Sequence, residues 1–124
     1  MSKRNFTDFW FRSSKDDFKV AQDLFALKHF DHCLFFCHLA LEKFLKGLIS
    51  KMQEDVPPIH DLAKLAKLAQ ISADLEELRE ISTFNVSARY KVYKQELFKK
   101  ATPRYIEKWL NLTENLLKLW SKKI

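Results

Sequence analysis

Apolar side chains recur along this chain at intervals of three and four, the period of helices buried on one face. Phe18, Ala21, Leu24 and Phe25 set the first such stripe, and it predicts a helix capped by Thr7, with Asp8 in its first turn, running to about Lys28. Lys28-His29-Phe30 reads as a short connection. Asp31 then predicts the cap of a second helix reaching about Gln53, in which Leu34, Phe35, Phe36, Leu39, Ala40, Leu41, Phe44, Leu45, Leu48 and Ile49 cover nearly the whole circumference. A helix apolar on most sides belongs at the centre of a fold, with Glu42, Lys43 and Lys46 on the strip that stays polar.

Pro57-Pro58 cannot continue that helix and forces a turn over Glu54 to His60. Past it, Leu62, Leu65, Ala66 and Leu68 predict a short third helix started by His60 or Asp61. Ser72 is expected to cap a fourth, which sends Leu75, Leu78, Ile81 and Phe84 inward and frays near Val86. Ser87 to Ala101 has poor periodicity and dense charge, and reads as a loop with one helical turn at most. Thr102-Pro103, a cap followed by Pro at the first helical position, opens a last helix to about Lys122. Its core row is Ile106, Trp109, Leu110, Thr113, Leu116, Leu117 and Trp120; a second row of Tyr105, Leu112 and Leu119 would leave apolar area exposed and invite a partner or a second copy of the chain, as would the apolar N-terminal cluster of Phe6, Phe9, Trp10 and Phe11.

Composition agrees with this pattern. One Gly and three Pro in 124 residues leave few turns, so residues 1–124 are expected to form a single all-α domain of four to five helices. No apolar run reaches the roughly 18 to 20 residues of a membrane span and no signal core opens the chain, so a cytoplasmic protein without membrane association is expected. Cys33 and Cys37 stand one helical turn apart and read as reduced, buried thiols. Charge is uneven: from Arg89 onward ten basic residues face three acidic ones, so the C-terminal third carries more than the net +6 of the whole chain. Such asymmetry suits a phosphate-bearing or acidic partner, and suits equally a solvated helix face balanced elsewhere.

Four constellations carry possible chemistry. His29, His32, Cys33, Cys37 and His38 form the densest group of soft ligands, yet structural zinc sites draw on two separated pairs, and the only other His is His60. Buried packing residues are the better reading, and no metal or other cofactor is expected. His38, Glu42 and Lys46 recur at i, i+4, i+8 as a polar ladder on the central helix; this is not the H-E-x-x-H of a zinc protease. His60-Asp61 reads first as a helix cap with a His bonded across the turn, and otherwise as a His placed near Lys43 or Lys46. Arg89-Tyr90 is either a structural Arg or a phosphate- and base-binding pair.

The order of these pieces resembles the HEPN family, the higher eukaryotes and prokaryotes nucleotide-binding domain. The resemblance rests on "FKVAQDLFALKHFDHC", "HLALEKFLKGLI", a Pro-containing turn into "HDLAKLAKLA", and "ARY" before a last helix. It implies an up-and-down helical bundle, commonly dimeric, that accompanies a minimal nucleotidyltransferase in a two-component pair, often of toxin-antitoxin type. Some members are ribonucleases built on an Arg followed, after four to six residues, by a His. After Arg89 those positions hold Lys94, Gln95 and Glu96, and no His follows His60. The chain therefore resembles the non-nuclease branch, whose motif positions fall on Glu42, Lys43, Lys46, His60, Asp61, Arg89 and Tyr90; Lys91 stands where many relatives have Pro. The resemblance implies a non-catalytic homodimer in which Lys43, Lys46 and Arg89 hold phosphate, Tyr90 stacks and His60 orients the nucleotide. The alternative is an RNA-binding protein or ribonuclease toxin using an atypical set, such as His60 with Arg89.

Overall fold

A computed structural model describes residues 3–89 and 102–124, with side chains described for residues 6–84 and 102–124. Five helices account for the regular structure among these residues: α1 (Lys3–Ala26), α2 (Phe30–Lys51), α3 (Leu62–Leu68), α4 (Leu75–Arg89) and α5 (Pro103–Ser121). Tyr90 to Ala101, including most of the stretch expected to be a loop, lie outside the described residues.

The four long helices run up and down. Thr7 meets Ser50 and Ser14 meets the Ala40 carbonyl, so α1 lies antiparallel to α2. Thr113 stands by Cys37 and Trp120 by Phe44, which sets α5 parallel to α2. Ile71 and Ser72 line one groove with Trp120, while Phe84 packs on Trp109 at 5.5 Å between ring centroids; α4 is thus antiparallel to α5. As its nearly all-round apolar pattern predicts, α2 is the central element and touches each of the others. Where it faces α1 it carries Ala40 and Gly47, and the Phe11 ring lies directly over the glycine.

Three helix stops are built without glycine. Lys28, Gln53 and Gln70 take left-handed backbone angles (φ of 65°, 63° and 59°). In each, the following N–H reaches back five residues: His29 to the Leu24 carbonyl, Glu54 to Ile49, Ile71 to Ala66. These are Schellman closures, which satisfy the last carbonyls of a helix.

Helix starts depart from the sequence pattern in three places. Thr7 does not cap α1, which begins at Lys3 because nothing before Thr7 breaks a helix; the buried hydroxyl instead bonds Ser50 Oγ at 2.6 Å. The cap position of α2 is His29, not Asp31, since the tight stop at Lys28 turns the chain back one residue early; Asp31 falls in the first turn, where its charge favours the helix dipole. Ser72 does not cap α4. The closure at Gln70 holds the chain out of helix through Ala73, and Asp74 Oδ1 accepts from the N–H groups of Glu76 and Glu77. With no Gly or Pro between Val86 and Arg89, α4 runs on to Arg89 rather than fraying. Asp61 and Thr102 cap α3 and α5 as the sequence predicts, accepting from Lys64 and Tyr105.

Among the described residues no helix is long and apolar enough to cross a membrane.

Candidate functional site

The polar strip of α2 does not face water. His38, Glu42 and Lys46 are 0%, 4% and 5% exposed, covered by the turn that Pro57-Pro58 forces and by Trp10 of α1. The turn brings His60 back onto α2, and Asp61 then anchors it by starting α3. Four side chains that share only an i, i+4 spacing and a distant His in the sequence become one hydrogen-bonded group.

Glu42 is its hub. Oε1 accepts from His60 Nδ1 at 3.0 Å, and Oε2 accepts from Lys46 Nζ at 3.0 Å. His38 Nε2 donates to the His60 backbone carbonyl at 3.0 Å, which fixes both the ring and the turn. Its other nitrogen, Nδ1, has no hydrogen-bond partner and lies 3.8 Å from Glu42 Oε1. Burial lowers the affinity of His38 for a proton, overriding the opposing pull of Glu42, so the ring is neutral with its proton on Nε2. Lys46 also stands 5.6 Å from the centre of the Trp10 ring, a second favourable contact for its buried ammonium.

The consequence for His60 is chemical. Because a carboxylate only accepts, its contact places the His60 proton on Nδ1 and leaves the Nε2 lone pair free. The His60 side chain is 51% exposed, so one face of a network otherwise sealed in protein reaches solvent through this single ring. A carboxylate behind an imidazole fixes its tautomer and stabilises it if it gains a proton, which suits His60 to bind a hydrogen-bond donor or an anion, or to take up a proton.

The other residues of the motif are distributed differently. Lys43 points toward α1, 2.7 Å from Asp17 Oδ2 and donating to Ser13 Oγ at 2.8 Å, so it does not join Glu42. Asp61 is occupied as a cap. Arg89 ends α4, two turns and about 10 Å beyond Ser82, whose hydroxyl accepts from the Leu62 N–H beside the site. Tyr90 lies outside the described residues. Both lysines assigned to phosphate thus face carboxylates of their own chain.

Sequence reasoning missed the part played by Trp10. An aromatic residue about two turns past the start of α1 gave no signal of contact with α2, since only the packing angle of the two helices places it over Lys46. The soft-ligand group around His32 disperses: His29 and His32 are exposed, while Cys33 and Cys37 turn inward. A hydrogen bond with Cys33, together with burial, pushes the Cys37 thiol well above its ordinary range and keeps it inert. Among the described residues no group of three or more His, Cys, Asp or Glu is placed to hold a metal ion.

Neither a curated protein nor a solved structure matches the chain. The family model of the HEPN domain does, over residues 7–124, which takes in all of the helices described above except the first four residues of α1, and the whole Glu42 network. A match over nearly the full length, on an all-helical bundle, supports a role related to nucleotides or RNA, and this chain belongs to the HEPN domain family.

Proposed function

We propose that this chain is a non-catalytic HEPN protein that binds a nucleotide at the α2–α3 turn and serves as the partner of a nucleotidyltransferase in a two-component, toxin-antitoxin-like pair. The observation that carries the binding half is the His60 imidazole, held in one tautomer by Glu42 and presented at the surface with Nε2 free. Nε2 accepts from an amino group of the base, or contacts phosphate once protonated. Arg89 and Tyr90 supply phosphate binding and stacking. Lys43 and Lys46, each facing a carboxylate, act through Asp17 and Glu42 and position the site. The absence of a His after Arg89 at the spacing that ribonuclease members use supports the non-catalytic assignment. A homodimer is part of the proposal; of one row that could form its interface, Tyr105 and Leu112 are half-buried against the core and Leu119 remains 53% exposed, while in the N-terminal cluster Phe6 and Phe9 are 48% and 55% exposed.

Calorimetric titration of ATP and GTP into the folded protein tests it. Saturable binding weakened at least tenfold by His60→Ala is expected, and no heat with either nucleotide at millimolar concentration would end the nucleotide reading.

One observation favours a second reading. An imidazole backed by a buried carboxylate is also a general base, so His60 could draw the proton from a ribose 2′-hydroxyl. Cleavage of mixed RNA that disappears in His60→Gln would support an atypical ribonuclease; intact RNA after prolonged incubation at high protein concentration would exclude it.

A further inference from the structure

α1 and α5 both pack on α2 but touch each other far less, and the gap between them stays open as a cleft of about 460 Å³. One wall is a face of α1 that runs from Phe11 to Gln22 in steps of three and four; the other is a face of α5 from Glu114 to Ser121. Phe44 of α2, 7% exposed, forms the floor, packed against Phe11 and Trp120 with ring centroids 4.9 and 6.3 Å away. Phe11, Phe18 and Leu117 make the sides apolar, and Ser14 adds little polarity because its hydroxyl donates to the Ala40 carbonyl. Phe44 stands two residues from both Glu42 and Lys46, about 200° round the helix, so the cleft lies on the far side of α2 from the His60 network.

The mouth is cationic. With α1 antiparallel and α5 parallel to α2, the register that brings Ser14 to Ala40, Phe11 to Gly47 and Trp120 to Phe44 sets Lys15 and Lys118 at about the same height on opposite walls. Both are exposed. Lys15 forms no ion pair with a described residue, and Lys118 has Glu114 at 3.0 Å, a solvent-exposed pair that a better-placed anion displaces at little cost.

An apolar trench under two lysines and one carboxylate complements a molecule with an apolar tail and a single anionic head. Its size selects a small molecule: ligand pockets run to roughly 300–1,000 Å³, whereas a helix with its side chains is about 10 Å or more across. The walls set an upper limit on the tail. They extend about 10 to 16 Å along the helix axes, which an extended chain of up to roughly twelve carbons spans.

We infer that the α1–α5 cleft binds a medium-chain fatty acid, its carboxylate held between Lys15 and Lys118 and its tail lying over Phe44 between Phe18 and Leu117. Site and ligand class are both independent of the nucleotide reading of the α2–α3 turn.

Calorimetric titration of the even-numbered acids from hexanoate to tetradecanoate, each below its micelle-forming concentration, tests this on the full chain. Saturable binding is expected, tightening about threefold with each added methylene up to decanoate and levelling off beyond dodecanoate, where the tail outgrows the cleft. Decanol, with the same tail and no charge, is expected to bind at least tenfold more weakly than decanoate. The surface variant Lys15→Glu/Lys118→Glu is expected to weaken decanoate at least tenfold, and Leu117→Trp, which fills the cleft, to abolish its binding; thermal melts check that each remains folded. Lys64→Glu/Lys67→Glu, which reverses two exposed lysines elsewhere, and His60→Ala are expected to bind decanoate as the wild type does. Absence of saturable binding, affinity that keeps rising with chain length as in simple adsorption, equal affinity for decanol, full binding by either folded cleft variant, or an equal loss in either control would overturn the inference.

Discussion

Glu42 is the residue on which the site depends, because His60 and Lys46 each bond one of its two oxygens. Replacing it by Gln keeps the shape but leaves the Lys46 ammonium, 5% exposed, without a countercharge. Breaking one side of a buried ion pair costs about 3 to 5 kcal/mol, so urea unfolding of Glu42→Gln is expected to show a loss of that order. Glu42→Gln/Lys46→Met removes both charges and lets the thioether lie on Trp10; it is expected to recover most of the loss. A single-variant loss below about 1 kcal/mol would mean that Lys46 escapes to water along its flexible stem. Much of this network was legible beforehand, since the His38, Glu42, Lys46 spacing and the His60-Asp61 pair stand out in the sequence. What the sequence did not reveal is that the ladder faces inward. Polar residues on a helix are ordinarily solvated, and only the fold of the Pro57-Pro58 turn over α2 reverses that.

The helices themselves were read with fair accuracy from periodicity, and their starts less well. A cap is a local competition among Ser, Thr, Asp and Asn for the first free N–H groups, and three-dimensional closure of the preceding turn decides it, as at Asp74 over Ser72. The closeness of α1 and α2 is likewise a property of the pair. A Cβ added at Gly47 would stand 2.7 Å from Phe11 Cε1, inside contact distance, and Phe11 is itself packed against Phe44, with ring centroids 4.9 Å apart. Alanine would gain up to about 1 kcal/mol in helix propensity, whereas overpacking typically costs about 1 to 3 kcal/mol. Gly47→Ala is therefore expected to lower stability by about 1 kcal/mol in chemical denaturation, and Phe11→Leu in the same chain is expected to relieve it. A stabilised Gly47→Ala protein would mean that Phe11 swings clear without loss.

At the scale of the molecule, a chain with one glycine and apolar residues at helical spacing has few alternatives to a bundle, and the up-and-down order is the one the family resemblance implied. The whole bundle also inherits a pH response from its centre. His38 is completely buried, faces Glu42, Lys46 and His60, and is held neutral by burial, while in the unfolded chain it titrates freely near pH 6.5. As pH drops below that value the unfolded state takes up a proton that the folded state refuses, so stability falls on acidification. Thermal unfolding from pH 7.5 to 5 is expected to show this decline. His38→Gln keeps a donor for the His60 carbonyl and removes the titration, so its decline is expected to be shallower; an identical slope would place the acid sensitivity elsewhere.

The three glycine-free helix stops bear on how such a protein can change over generations. Each left-handed residue other than glycine carries about 1 kcal/mol or more of strain; Lys28 and Gln70 lie outside the α2–α3 connection that carries His60, and Gln53 lies at its start. Glycine in place of Lys28 or Gln70 would ease that strain without touching the ligand-facing turn. The fold therefore holds latent tolerance: mutations that reshape recognition at a cost in folding can be accepted, because compensation is available at positions outside the proposed site.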